Sequence, residues 1–342
     1  MSSLKDLIKE LCGLSGVSGR ERPVAEYIIK KLEGAEGVSC KTDNLGNIIV
    51  HKRGRRRPPL KIMLDAHMDE VGIMALSADQ DGFLRFTTVG GVDPSVLLCR
   101  RVKFKNAAGV IGCRPVHLLK DGDRDKMPEI DDLYIDIGAD SKEEAESLVH
   151  IGEEGVFLTE FTEFGDGLFL SRAIDDRAGC AVILKLLLEK AEFDFYASFT
   201  VQEEVGCRGA KTAAYKEEPD IAIVIEGTTA ADIAGTPPEK TVCSLKGGPA
   251  VSFMDHSSVY DRRLYAAAFD MGVKCQPKAY VSGGNNSGAF AQSGAGARVM
   301  ALSLPSRYIH SGSSAAAFED LYGLCELAGK LIVYFNENSS EI

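Results

Sequence analysis

Leu60-Lys-Ile-Met-Leu-Asp-Ala-His67-Met68-Asp69 is a short apolar run that stops at a histidine and an acid. Pro58-Pro59 bounds it upstream and the run is too short for a helix, so it reads as a buried strand. Two later stretches repeat the pattern. Phe193–Val201 runs into Glu203-Glu204, and Ile221–Ile225 runs into Glu226. Helical stretches lie between: Asp176–Lys190 is strongly apolar and Ala210–Lys216 is shorter. Strands alternating with helices predict an α/β fold, a mostly parallel sheet flanked by helices on both faces.

Outward from this core, helices are expected over residues 3–13 and over Arg20–Glu33, where Val24, Ile28, Ile29 and Leu32 recur at helical spacing. Strands are expected at Val38–Thr42 and Ile48–His51, and the basic run Lys52–Arg57 reads as a solvated hairpin connection. Toward the C-terminus the pattern predicts a helix over Ser258–Met271, a strand over Ala297–Ser303 and a long helix from Ser313 to about Tyr334.

The texture differs between Val71 and Phe164. Short segments rich in Val, Phe and Ile are broken by Gly90-Gly91, Asn106, Gly109, Gly112 and Asp121-Gly122, and only Lys142–Val149 looks helical. Such spacing predicts a small barrel or sandwich-like β module. The expected organisation is therefore a catalytic α/β domain, 1–70 and 165–342, interrupted by a β-rich insert, 71–164.

In open α/β sheets ligands collect beyond the carboxyl ends of the strands, and chemistry-bearing residues fall there. His67 and Asp69 stand two apart in extended chain and point to one side, so one could ligate a metal while the other orients it. Glu203 and Glu204 point in different directions, so one could bind a metal and the other act as general base. The doubled acids Glu143-Glu144, Glu153-Glu154 and Glu217-Glu218 lie in polar surroundings and read as surface. Asp175 and Asp176 precede the apolar helix, and either would serve as its cap. A carboxylate buried at Glu226 is costly without a partner. His310 lies in a loop before the last helix, where a histidine by itself reads as an ordinary polar contact. Together these residues have the composition of a two-metal hydrolase centre.

The balance of the 342 residues excludes other classes. They are 45% hydrophobic with a net charge of −11, which argues against a nucleic-acid surface. No stretch approaches the roughly 18 apolar residues of a membrane span. The start, Met1-Ser-Ser-Leu-Lys-Asp, lacks the apolar stretch of a secretory signal, and nine cysteines show no C-x-x-C spacing. A reduced, cytoplasmic protein is expected. G-x-S-x-G, H-E-x-x-H and G-x-x-x-x-G-K-[ST] are absent, and Ser282-Gly-Gly-Asn-Asn-Ser-Gly lacks the lysine of a phosphate loop.

Asp65-Ala-His-Met-Asp-Glu-Val-Gly, Ala173-Ile-Asp-Asp-Arg-Ala-Gly, Val201-Gln-Glu-Glu-Val-Gly-Cys-Arg-Gly-Ala, Glu226-Gly-Thr-Thr-Ala-Ala-Asp and Tyr308-Ile-His-Ser occur in that order. The set resembles the M42 metallo-aminopeptidases, tetrahedral aminopeptidases some of which carry an endoglucanase label. The resemblance implies that the insert is a PDZ-like dimerisation domain and that dimers build a dodecamer. It implies two divalent ions, zinc or cobalt, with His67 and Glu226 on one, Glu204 and His310 on the other, and Asp175 bridging. Glu203 would be the general base and Asp69 the support of His67, leaving Asp176 as a helix cap. The implied reaction removes N-terminal residues from short peptides by metal-activated water. The alternatives on the same fold are a metal-dependent N-acyl amino acid deacylase and an endoglucanase-labelled hydrolase. Relatives often have aspartate where this chain has Asn286, in a loop that reads as an active-site loop or a plain turn, and aspartate in place of Glu226.

Overall fold

A computed structural model describes residues 2–118, 122 and 126–341, so that Asp121 of the expected Asp121-Gly122 turn lies outside it. In chain order the elements are α1 (Leu4–Cys12), α2 (Arg22–Leu32), β1 (Val38–Thr42), β2 (Ile48–Lys52) and β3 (Ile62–His67). Next come β4 (Gly72–Ala78), β5 (Leu84–Val89), β6 (Arg101–Lys103), β7 (Ala108–Cys113), β8 (Leu133–Asp136), α3 (Lys142–Leu148) and β9 (Glu154–Phe157). Then follow β10 (Thr162–Phe164), β11 (Leu168–Ser171), α4 (Ile174–Leu188), β12 (Phe195–Thr200), α5 (Arg208–Glu217) and β13 (Ile221–Thr229). The last are β14 (Ala250–Val251), α6 (Arg262–Phe269), β15 (Gln276–Pro277), α7 (Ser287–Ala291), β16 (Arg298–Arg307), β17 (Ser314–Ala317) and α8 (Phe318–Glu337).

The large sheet runs β1-β2-β12-β3-β13-β16-β17-β11-β10. Its centre, β12, β3, β13 and β16, is parallel, while the pairs β1–β2, β2–β12, β16–β17, β17–β11 and β10–β11 are antiparallel. The expected mostly parallel sheet is therefore a mixed one with a parallel core. Strand direction is set by backbone pairing, which side-chain pattern does not reveal. On one face α4 packs against β3 and β13, with α1 and α8 behind it. Packed between the sheet and these helices, α4 is buried at eleven of its fifteen residues and is mostly apolar. The opposite face is closed by α5 and α7, whose Ala210, Ala213, Ala214 and Phe290 pack on Met63, Val224 and Ala301.

The strands β4-β5-β8-β7-β6-β9 close into a barrel with its own core, including Ile73, Phe86, Phe104, Ile111 and Ile135. Closure leaves the barrel no free edge. The chain enters it directly after Glu70 and returns to the large sheet at β10.

Three local expectations change. Ser314–Ala317, expected as the start of the last helix, is a strand, because its alanines pair with Leu168–Ser171. The basic run is no hairpin: β2 and β3 are separated by β12. Lys52 is buried and donates to Glu36 O and Leu187 O, each at 2.8 Å. The helix expected over Ser258–Met271 is confined to Arg262–Phe269, where Asp261 caps it through the Arg263 and Leu264 amides.

A buried ion network braces the exit into the barrel. Glu70 is paired with Arg172 and with Arg177 Nη2 at 3.2 Å, and Gly16 N–H donates to it at 3.1 Å. Fully buried Arg177 also donates to Met68 O at 2.9 Å and Leu11 O at 2.8 Å. Removing one member of a buried charge set leaves the other uncompensated, at roughly 3–5 kcal/mol. Arg177→Leu is accordingly expected to lower unfolding stability by about that amount. A chemical-denaturation shift below about 1 kcal/mol would contradict this assignment.

Candidate metal centre

The parallel register of β12, β3 and β13 brings their carboxyl ends to one edge, and the candidate side chains gather there. His67 is the last residue of β3. Glu203 and Glu204 follow β12. Glu226 lies within β13, which runs three residues past it to Thr229 instead of ending at Ile225. Asp175 stands at the kinked start of α4, where the Asp175–Asp176 peptide is cis, and His310 lies in the loop between β16 and β17.

His67 Nε2 is 3.3 Å from Asp175 Oδ1 and 3.2 Å from Glu226 Oε1. His310 Nε2 is 3.4 Å from Asp175 Oδ2 and 3.3 Å from Glu204 Oε2. Asp175 thus turns one oxygen to each histidine, and two ligand groups share it: His67, Asp175, Glu226 and Asp175, Glu204, His310. Within each group the donor atoms lie within 4.8 Å of one another. This nitrogen and oxygen set suits zinc-like ions. Asp175 Oδ1 is buried and accepts no hydrogen bond, which leaves a lone pair free for a cation.

Each imidazole is oriented from behind. His67 Nδ1–H donates to Asp69 O at 3.1 Å, and His310 Nδ1–H donates to Gly91 O at 3.0 Å. Carbonyls only accept, so both Nδ1 atoms carry the proton, and in the neutral ring Nε2 presents a lone pair to the cluster. The Asp69 carboxylate lies 3.4 Å from His67 Nδ1. It also accepts from Ser18 Oγ at 2.7 Å and from the amides of Glu203 and Glu204 at 3.0 and 3.1 Å. Asp69 therefore fixes the paired glutamates as well as the histidine. Burial alone would raise its pKa, but these donors, with His67 first, hold it below the ordinary value. Asp176 accepts from Gly179 N–H at 2.8 Å, as a helix cap does, and from His67 N–H at 3.3 Å.

Asn286 does not line an open pocket. It is buried behind the strands, donating to Asp65 Oδ2 at 2.8 Å and Thr200 Oγ1 at 2.9 Å. Asp65 is raised to about 6 by burial, against the donors Ser198 and Asn286.

Several participants carried no distinguishing signal. Ser18 is one serine among many, Gly91 acts through its carbonyl, and Cys207 donates from Sγ to Glu203 Oε1 at 3.3 Å. Burial, reinforced by the Glu204 and Asp175 carboxylates and opposed by His67, raises Glu203 to about 7.

The M42 glutamyl aminopeptidase family model matches residues 46–327. The chain is 30% identical to a lysyl aminopeptidase of Pyrococcus furiosus, covering 96% of each. It superposes on an aminopeptidase of the archaeon Desulfurococcus kamchatkensis with a TM-score of 0.90 at 35% identity, covering 96% of this chain and 94% of the other. The TET1 peptidase of Pyrococcus horikoshii, which can assemble into a tetrahedron or a large octahedral shell, superposes with a TM-score of 0.84 at 32% identity over 96% of this chain and 99% of that one.

Burial lowers the proton affinity of His310, but its hydrogen bonds to Asp175 and Glu204 outweigh this and raise it to about 11. His67 is likewise raised well above its ordinary value, burial being outweighed by Glu226, Asp175 and Asp69. Because the folded pKa values are raised, the imidazolium stabilisation is complete below the unfolded pKa of about 6.5. For His310 it is lost only as pH climbs through about 11. At neutral pH a divalent ion must displace these protons. Its affinity for the metal-free protein is therefore expected to rise between about pH 6 and 9, with proton release detectable by calorimetry in buffers of different ionisation enthalpy. A pH-independent affinity without proton release would contradict the assignment.

Proposed function

This chain belongs to the M42 family and is an aminopeptidase, and from that premise we propose that it removes N-terminal residues from short peptides using two divalent ions. The carrying observation is the shared carboxylate, Asp175, between two histidine-carboxylate groups. His67 and Glu226 would hold one ion, Glu204 and His310 the other, and Asp175 both. Such ions, zinc or cobalt, polarise a scissile carbonyl and lower the pKa of an attacking water.

The protein's own groups supply the remaining steps. Glu203 sits beside the ligands without belonging to either group, and burial brings its proton affinity near neutrality. This suits a base that takes the proton from water and passes it to the leaving amine. Asp69 holds Glu203 and Glu204 through their amides, setting the base against the ligand. A free peptide amine held at the cluster would restrict cleavage to the first residue.

We assign the catalytic unit to 1–70 and 165–342 and dimerisation to the PDZ-like insert 71–164. A dodecameric TET1 relative and the tetrahedral or octahedral shell of the Pyrococcus horikoshii TET1 peptidase support a large homo-oligomer, which we take to be a dodecamer built from dimers. Among the described residues no helix is long and apolar enough to cross a membrane. All nine cysteines are unpaired, which fits a reducing cytoplasm.

With Co²⁺ or Zn²⁺ supplied, the protein is expected to hydrolyse at least one member of a panel of aminoacyl-anilides and to lose that activity with a chelator. Absence of metal-dependent turnover on every member would overturn the reading. Turnover of N-acetylated but not free substrates would favour the deacylase instead, and a two-carboxylate glycosidase would survive chelation. Glu203→Gln should lower kcat by roughly 10²–10⁴-fold while bound metal, measured by elemental analysis, is unchanged. A kcat within about threefold of the parent would remove Glu203 from the base role.

A further inference from the structure

The two ligand groups are supported from different parts of the molecule. His67 and Glu226 lie in strands of the large sheet, and the hydrogen bonds behind His67 come from Asp69 and Asp176 of the same α/β unit. The second group leans on the barrel. His310, in a half-exposed loop, donates from Nδ1 to the carbonyl of Gly91, just beyond β5. Gly90 lies flat against the other ligand: a Cβ built on it would stand 3.3 Å from Glu204 Cβ.

Gly90 has φ +81, and that same Cβ would stand 2.8 Å from Val71 Cγ1, so the turn closes here only because no side chain is present. Beyond it Val92 N–H donates to Gly90 O at 3.1 Å, and Asp93 accepts from Ser95 N–H at 2.8 Å. The turn is therefore braced from within. A second tie, from Thr159 Oγ1 just past β9 to Gly312 O, fastens the same loop two residues beyond His310. By contrast, the nearby Arg20–Glu154 pair, 3.4 Å apart and solvent-exposed, contributes little to holding the two units together.

We propose that the Gly90-Gly91 turn of the barrel is a positioning element of the second ligand group, so that binding of the second ion is coupled to the seating of the barrel. This rests on the two-ion reading above. Coupling is reciprocal: a seated barrel presents His310 to the ion, and the ion, by holding His310, seats the barrel. The first group has no such dependence, and the two ions bind with unequal affinity. The insert is then part of the catalytic apparatus as well as an assembly surface.

The test uses the full-length protein, freed of metal and titrated with Zn²⁺ under calorimetry, with elemental analysis of the bound metal. The parent should take up two ions, the second more weakly. Gly90→Val, which must displace the turn, should weaken the second by at least roughly tenfold, the scale on which outer-shell supports act, and leave the first within about twofold. The matched substitution Gly152→Val, at a left-handed barrel glycine with open space around its Cβ position, should leave both affinities at parental values. Hydrogen exchange on the parent decides the question however the variant folds: amides of residues 90–93 should gain protection on the second equivalent of Zn²⁺ and not on the first. Parental binding of both ions by Gly90→Val, or equal protection of the turn at both equivalents, would overturn the proposal while leaving the two-ion reading intact. A parent protein that binds no divalent ion would overturn that reading itself.

Discussion

The rest of the site depends on one buried carboxylate facing two imidazoles. Asp175 turns one oxygen toward His67 and the other toward His310, and around it stand Glu204, Glu226 and Glu203. So much negative charge in so dry a place is tolerable only with cations or donors to match. The protein supplies part of the match itself: both imidazoles are drawn toward their protonated forms, and Asp69 is held ionised by its donors. The remaining compensation is what a pair of divalent ions would bring. Other buried charges nearby are matched within the protein: Glu70 is paired with Arg172 and Arg177, and Asp65 accepts from Asn286.

The mixed sheet explains how ligands distant in sequence meet. Its parallel centre places the ends of β3 and β12 side by side and carries Glu226 in β13 to the same edge. The antiparallel turn from β16 into β17 then brings His310 back over that edge. The barrel inserted between β3 and β10 has a core of its own, yet its Gly90-Gly91 turn reaches the cluster. The insert leaves the large sheet soon after His67 at the end of β3, and its Gly91 places a carbonyl behind the His310 imidazole.

How far the sequence could be read varied with the physical origin of each feature. Helix periodicity and buried strand runs located α2, β3 and β12 closely, because side-chain burial writes itself into hydrophobic spacing. Ser314–Ala317 reads as helix because alanine favours helix, whereas its state comes from backbone pairing with a strand more than a hundred residues earlier. Lys52 read as solvated because nothing local shows that its ammonium would reach two carbonyls inside the fold. The loop of Asn286 reads equally as an active-site loop or a plain turn for the same reason: the direction of a side chain in a glycine-rich loop is decided by partners such as Asp65 that the loop's own sequence does not contain.

The sequence by itself determined the α/β alternation, a β-rich middle segment and the chemical types that end the central strands. It did so because burial and strand termini impose local patterns, and because five motifs in order resemble one family. The resemblance already implies a shared Asp175 and a separate Glu203, but tertiary structure alone supplies the geometry in which Asp175 faces both histidines and in which a barrel carbonyl orients His310. Those are relations between atoms brought together by strand register and by the closure of a separate module. Distances of about three ångströms between residues more than a hundred apart in sequence have no local signature.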